Sequence, residues 1–542
     1  MTTIRCRLES CLKTERIQLD RIRWLYDGAI SAKKTDTSAQ DKKYILYWMQ
    51  TSVRTTYNYG LEYALEAATA LALPLQVIYF LSDRSAVPKK QLARDPNAFA
   101  FSTERHAKFA LEGLASTKSR LKERGIDLKI VLSGNTKQES ENEENEDEFG
   151  ATRYHLLDRC ARNAVLVVTD RAYIRFSAND TLRCAEYAKE STNAWGLVQV
   201  EGDVVVPSAI ASDKEEYSAR TIRPKVTRHL AKFLVQLKEQ DISDKIKSSN
   251  LNLLHFLPFK LLNKNTSTKD CILEIDPARK AEMLEALDLD RSVVPVESML
   301  GGEDEAERHA REFARGKLCK YAEARNEPGA DGSSNLSCYL HYGHISPVWI
   351  ALLVKEIDDA NNKNSQDAFL EEMIVRRELS VNFVVYNPDR YDSIEGIPDF
   401  AKKTLNDHRG DERPHIYTLK DLESGLTEDK YWNAAQLEVV HSGRMHGYMR
   451  MYWGKKILEW SKTPEEAFER TVYLNNKYSL DAPHPNSYTG VAWTFGKHDQ
   501  GWREREIFGK VRYMNETGLK RKFDMDGYVQ KIKSLRESCG DE

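Results

Sequence analysis

Short apolar runs alternate with helically spaced segments through the first half of the chain. Tyr44–Met49 (YILYWM), Leu75–Leu81 (LQVIYFL), Leu128–Leu132 and Ala164–Thr169 read as strands, and Leu197–Val200 as a weaker one. Gly60–Ala72 and Ser102–Arg124 carry helical spacing between them. This alternation predicts a parallel sheet covered on both faces, with ligands at the carboxyl ends of its strands. From about Pro277 onward the period is helical, as in Ala278–Leu287, Ser346–Ile357, Ala368–Phe383, Asn433–Trp460 and Pro464–Tyr478. Residues from about Val204 to Asp270 hold no steady period and read as a connector. The expected fold class is therefore α/β plus all-α: a doubly wound parallel-sheet domain, a long linker and a C-terminal helical domain. The expected boundaries are 1–40 for an N-terminal extension, 41–205 for the α/β domain, 206–270 for the linker and 271–536 for the helical domain. No internal repeat is visible.

Composition narrows the class without naming a function. Hydrophobic residues make up 41% and charged residues 30% of 542, the balance of a soluble globular protein of roughly two to four units. No run approaches the ~18 apolar residues of a membrane span, and the first 34 residues lack the signature of a secretory signal. Eight scattered cysteines form no CxxC pair and no zinc-like group, which predicts free thiols in a reducing compartment and no metal. The net charge of −3 gives no global pull toward nucleic acid, so a DNA-binding role needs a local basic face. Glu139–Glu148 (ESENEENEDE) reads as a solvated acidic loop.

The familiar catalytic signatures are missing. No GxGxxG follows a strand, and GxxxxGK[ST], HExxH and GxSxG do not occur. Tryptophan is concentrated near the C-terminus instead: Trp432, Trp453, Trp460, Trp493 and Trp502 are five of nine. Trp453 and Trp460 stand seven apart on one predicted helix, hence on one face and about 10 Å apart along its axis. That spacing permits electron hopping between indoles, and it also fits a plain buried aromatic stripe. The segment FLEEMIVRREL sets Glu371, Glu372, Arg376, Arg377 and Glu378 beside core positions, as a salt-bridged helix face or as polar groups lining a cavity. Asn475–Trp502 is rich in Gly, Pro, Asn and His and interrupts the helical pattern, as functional loops do. The basic stretch Lys510–Lys522 suits a phosphate-facing surface or a solvated helix end.

Taken together, these segments resemble class II cyclobutane pyrimidine dimer photolyases of the photolyase/cryptochrome superfamily. The resemblance runs from about Arg21 to about Lys533, through YILYWMQTSVRTTYNYGLEYA, VEGDVVVPSAIASDKEEYSARTIRPKVTRHL, SNLSCYLHYGHISP, FLEEMIVRRELSVNF, KYWNAAQLEVVHSGRMHGYMRMYWGKKILEW and HDQGW…FGKVRYMN…KRKF. It implies a U-shaped FAD in the helical domain and a second, antenna chromophore in the α/β domain, a deazaflavin in some members. Tyr321, Asn335, Leu336, Ser337, Arg377 and Asp481 match FAD contacts, and Asn475 matches the asparagine near the reactive flavin nitrogen. Trp453 matches the flavin-proximal tryptophan, with Trp432 as outer relay and Trp460 as neighbour. Glu372, Met451, Trp493 and Asp499 fall where the family lines the dimer pocket, Glu372 hydrogen-bonding a thymine carbonyl. Trp502 and Arg512 fall where it holds the duplex open, and Arg376 where some members set an aromatic ring against the dimer.

The resemblance implies light-driven repair of pyrimidine dimers, with UV-damaged DNA as partner, no membrane, a monomeric state and an intracellular place, cytoplasmic or nuclear. The chain departs from the family's LDGRDPNGY by reading LDAPHPNSY, so Ala482, Pro483, His484 and Ser487 are exchanged. It is also one residue short between Trp493 and His498. A cryptochrome-like photoreceptor, or a flavoprotein with another substrate, stays open on these exchanges. The end of the chain about twenty residues beyond Phe523 weighs against a receptor tail.

Overall fold

The computed structural model describes residues 3–11, 16–28, 43–84, 87, 102–133, 151–190, 195–242, 246–247, 259–261, 272–357 and 362–540. The acidic run Glu139–Glu148 and Cys271 lie outside them. The strands are β1 Ile22–Tyr26, β2 Tyr44–Met49, β3 Leu75–Leu81, β4 Leu128–Leu132, β5 Ala164–Asp170, β6 Gly196–Val200, β7 Phe259–Leu261 and β8 Ile272–Glu274. They form one sheet in the order β1-β6-β5-β2-β3-β4-β8-β7. The five strands foreseen from apolar runs are β2 to β6, and all pair in parallel. β2, β3 and β6 are buried along their whole length, which is why they read as unbroken apolar runs.

Three edge strands were not foreseen. β1, within the expected extension, pairs antiparallel with β6, and β8 and β7 extend the other edge beyond β4. These strands are three to five residues long, too short to carry a countable period. Helices α1 Tyr59–Leu71, α2 Glu104–Glu123, α3 Ala151–Ala161 and α4 Arg175–Glu190 connect the parallel strands. The strand order reverses between β2 and β5, and there Asp170 closes the crevice. Its carboxylate accepts from the amides of Gln50, Thr51 and Ser52 at 2.8, 3.1 and 3.2 Å and from the Tyr47 hydroxyl at 2.8 Å.

Past the sheet, the connector is not featureless: it contains α5, Ala219–Thr227, which buries Ala219, Ile222 and Val226 and faces Arg220 outward. The helical region includes α6 Lys363–Leu370, a π-helical turn Glu371–Arg376 and α7 Arg377–Tyr386, which follow one another without a break. After them come α8 Lys430–Ser442, α9 Gly447–Trp460, α10 Pro464–Tyr478, α11 Pro485–Thr494, α12 Glu516–Lys522 and α13 Met525–Ser538.

Two expectations are corrected here. Asn433–Trp460 is two helices, because Gly443 takes a left-handed conformation (φ 68°) and caps α8. The irregular segment Asn475–Trp502 begins inside α10 and contains α11. His484 and Ser487, two of the exchanged residues, form a capping box at its start: the His484 ring accepts from the Asn486 amide and Ser487 Oγ from the His484 amide, with Pro485 as the first helical residue.

The α/β and helical regions are joined by buried polar contacts. Arg54 donates to Asp203 at 3.0 Å and to the Gly343 carbonyl at 3.0 Å, and Arg105 donates to the carbonyls of Val439 and Tyr478, at the ends of α8 and α10. At Gly343 the two regions touch through backbone; a Cβ there would lie 1.7 Å from the Thr51 carbonyl oxygen.

Candidate functional site

The tryptophans come together as the motif series implied, in an order that spacing alone does not reveal. Trp432 of α8 lies parallel to Trp453 of α9, with ring centres 6.4 Å apart and planes at 7°. Trp460 meets Trp432 edge-on at 5.4 Å and Tyr417 at 5.0 Å. The ring contacts therefore run Trp453–Trp432–Trp460, with the residue from the other helix in the middle. All three indoles are buried. The Trp432 Nε1–H donates to the Trp453 carbonyl and the Trp453 Nε1–H to Gln436 Oε1, both at 2.9 Å, so neither indole is free to turn.

Three residues before Trp453, on the same face of α9, stands Arg450, the first of a cluster of polar side chains in the helical region. Its guanidinium lies 3.7 Å from Asp481 Oδ1, just after α10. Asn335, His341, Arg444, Arg450, Asp481 and His484 are polar, lie below the surface and remain accessible. Arg377 and Asn475 are buried behind them. Asn335 takes a left-handed backbone (φ 58°), a conformation its short polar side chain tolerates. Several of their atoms have no hydrogen-bond partner: Nε of Arg377, Arg444 and Arg450, Oδ1 of Asp481 and Nε2 of His341. Buried polar atoms are ordinarily paired, so this concentration makes the cluster a candidate ligand site. Burial, with the neighbouring His106, pushes the His341 imidazole down to about 3. His484 is lowered by burial and by the Arg377 guanidinium, and its rings and those of His341 lie 5.7 Å apart. The cluster thus offers guanidiniums, one carboxylate and neutral imidazoles, a donor set that fits an anionic ligand with many hydroxyls.

The other predicted cofactor residues are placed less uniformly. Tyr321 is buried against Phe313 and Phe369, and its hydroxyl is raised by burial and by Glu372. Leu336 packs in the core, so only its backbone can face a ligand. Ser337 is exposed, and Met451 is half-buried beside Arg450.

A second group of predicted residues, Glu372, Arg376, Trp493, Asp499, Trp502 and Arg512, is partly exposed. Glu372, on the π-helical turn, pairs with Arg325 at 2.7 Å. Such turns shift the register of a helix and often mark functional positions; here the shift puts Glu371, Glu372 and Arg376 at one edge. Arg376 lies over the Trp493 ring at 5.9 Å and donates to Glu371, and Trp493 Nε1 has no partner. Arg512 grips Asp499 through Nε at 2.9 Å and Nη2 at 3.2 Å. Trp502 Nε1 donates to the same carboxylate at 3.3 Å and its ring carries the Arg512 guanidinium at 4.4 Å. Burial works against the Asp499 anion, but the bonds from Arg512 and Gln500 outweigh it and hold its pKa below the ordinary value.

Arg325, His341, Arg444 and Arg450 were not singled out from sequence. Each sits inside or beside a recognised motif, but a single Arg or His carries no period, and only folding aims it inward. Lys455 was missed for the same reason. It is fully buried, donates to the Thr494 carbonyl at the end of α11, and is pushed down to about 7 by burial. Among the described residues no group of His, Cys, Asp and Glu could hold a metal ion, and no helix is long and apolar enough to cross a membrane.

Comparison with known proteins identifies the family. Residues 45–243 match the DNA photolyase family. Over 496 residues the chain is 42% identical to the deoxyribodipyrimidine photo-lyase of Methanothermobacter thermautotrophicus, covering 91% of this chain and 95% of that relative. The deoxyribodipyrimidine photo-lyase of Arabidopsis thaliana is 36% identical over 91% of this chain and 89% of its own length. An archaeal photolyase from Sulfolobus tokodaii, solved with two FAD molecules, shares the fold at a TM-score of 0.59, with 13% identity over 90% of this chain and 89% of that one. The chain belongs to the DNA photolyase family.

Proposed function

We propose that this chain splits cyclobutane pyrimidine dimers in DNA with blue light, as a class II photolyase. The observation that carries the reading is one continuous line of chemistry: the stacked Trp453–Trp432 pair, the cluster of guanidiniums and carboxylate with unpaired atoms beside it, and a mouth of Trp493, Glu372 and Asp499. FAD fits that cluster, because Arg444 and Arg450 suit its pyrophosphate, Asp481 its hydroxyls, and Asn475 and Arg377 its ring edge. When bound, it supplies the electron that opens the dimer and takes it back afterwards.

The chain's own residues do the rest. A dimer inside a duplex cannot reach a buried pocket, so it must be extruded, and damage lowers that expense. Trp493 offers an unpaired aromatic face to the extruded bases, backed by Arg376. The Arg325–Glu372 pair presents a guanidinium donor for a carbonyl oxygen where charge develops and a carboxylate acceptor for a ring N–H. Met451 adds an apolar contact between that cluster and the mouth. Trp502 and Arg512, held on Asp499, occupy the gap the lesion leaves and face phosphates. Trp453, with Trp432 and Trp460 behind it, would relay electrons from a reductant in solution toward an oxidised cofactor. An antenna chromophore of deazaflavin type belongs in the α/β domain, and the reading requires neither a metal nor a second copy of the chain.

The test is repair of a dimer-containing oligonucleotide under blue light, against a dark control, by protein whose flavin is reduced. Dimers should disappear only in the light. Equal loss in light and dark would sink the proposal.

A further inference from the structure

Tyr217, in the connector ahead of α5, is 56% exposed. Scattered surface aromatics need no explanation by themselves. What distinguishes Tyr217 is that it is fixed and where it is fixed. Its hydroxyl donates to the Asp499 carbonyl at 2.8 Å, and its own carbonyl accepts from His498 Nδ1 at 2.8 Å. The ring is therefore pinned to the loop that carries Asp499, whose carboxylate holds Arg512 and Trp502.

The same connector is pinned to the opposite edge of the mouth. Arg223 of α5 forks onto Glu371, Nε to Oε2 at 2.9 Å and Nη2 to Oε1 at 2.7 Å, and Glu371 also accepts from Arg376, which lies over Trp493. One short segment thus spans both walls of the lesion mouth. Its outward charge is basic. Glu215 and Glu216 are consumed in pairs with Lys497 and Lys225. Lys214, Arg220 and Arg228 face solvent against Asp213, and Arg220 lies one turn before the half-exposed Arg223.

We infer that Tyr217 and Arg220 form a further DNA-contacting wall, with the Tyr217 ring as a stacking platform for an unpaired base next to the extruded dimer and Arg220 on the adjoining phosphate. The inference rests on the repair reading above. A nucleic-acid strand fits this wall better than a protein surface does: the wall is continuous with the mouth where the lesion must enter, and it joins a fixed aromatic face to exposed cations, the pairing that single-stranded segments use. Extruding a dimer leaves neighbouring bases without partners, and a rigid ring at the rim gives one of them a face to rest on.

The experiment uses flavin-loaded full-length protein and a duplex carrying one dimer, with 2-aminopurine in place of a flanking base. The variants are Tyr217→Ala, Tyr217→Phe and Arg220→Ala. Tyr217→Ala should weaken duplex binding about tenfold, within the range for loss of one base–aromatic stack, and should leave the 2-aminopurine bright where wild type quenches it. Tyr217→Phe should restore affinity and quenching, because the ring does the stacking. Arg220→Ala should lower the salt slope of binding by about one phosphate contact. Wild-type affinity and quenching in Tyr217→Ala would overturn the inference alone. So would a Tyr217→Phe variant as weak as Tyr217→Ala, which would make the hydroxyl a clip for the Asp499 loop. A wild-type protein that leaves dimers intact in the light would overturn the repair reading, and this inference with it.

Discussion

On the proposed reading, Glu372 and Trp453 have single, separable tasks at the residue scale. Glu372→Gln keeps the shape but removes the charge that holds Arg325 at 2.7 Å. A hydrogen bond to a charged group contributes about 1.5–3 kcal/mol, so the quantum yield of dimer splitting by chemically reduced enzyme should fall about tenfold or more. An unchanged yield would remove Glu372 from the mechanism. Trp453→Phe breaks the ring stack at 6.4 Å. Photoreduction from oxidised flavin should vanish, while enzyme reduced beforehand still repairs; transient absorption separates the two. Both residues were readable in sequence because they stand in long motifs. The partners that aim them, Arg325 and Gln436, were not, because a single polar residue carries no period that shows what it will meet, even where, as with Gln436, it stands in the same motif.

At the element scale, α9 and α11 cross where Gly454 meets Thr494. A Cβ at Gly454 would come within 2.8 Å of Thr494 Cγ2 and 3.0 Å of Oγ1. Threonine is short and branched, so it cannot swing clear, and Gly454→Ala should destabilise the protein by about 1–3 kcal/mol. Chemical denaturation followed by tryptophan fluorescence measures this, and unaltered stability would show that the crossing is loose. The crossing matters because α9 carries Trp453 and α11 carries Trp493, so one contact sets the spacing of relay and mouth. Element boundaries were legible where burial was continuous, as in β2 and β3, or where the helical period was regular, as in α10. They were lost where a local cap decides the conformation: Gly443 splits one helical pattern into two, and His484 starts a helix in a stretch whose composition reads as loop.

At the scale of the whole molecule, Glu378 links the connector to the helical region. One carboxyl oxygen accepts from the amides of Val205 and Val206 at 2.9 and 3.0 Å. Burial raises its pKa to about 8 despite those bonds. The folded protein therefore keeps this proton up to about pH 8, while the unfolded chain releases it near pH 4.5. Stability from this group is fully present below about pH 4.5 and is lost as pH rises toward 8. Glu378→Gln, neutral at every pH, should flatten the fall of the thermal midpoint between pH 5 and pH 8 (the window set by these two values). A midpoint profile identical to wild type would place the charge elsewhere.

The sequence by itself determined the parallel strands, the helical character of the C-terminal half and the family. Apolar runs and helical periods are local, and a long ordered series of motifs identifies a family without knowledge of any contact. Tertiary structure decided which residues meet. It placed Trp432 between Trp453 and Trp460, set Arg450 against Asp481, added β1 and β8 to the sheet edges, and pinned Tyr217 and Arg223 to opposite sides of one mouth. These are pairings between residues far apart in the chain, fixed by burial and by the need of buried polar atoms for partners, and neither requirement leaves a period along the sequence.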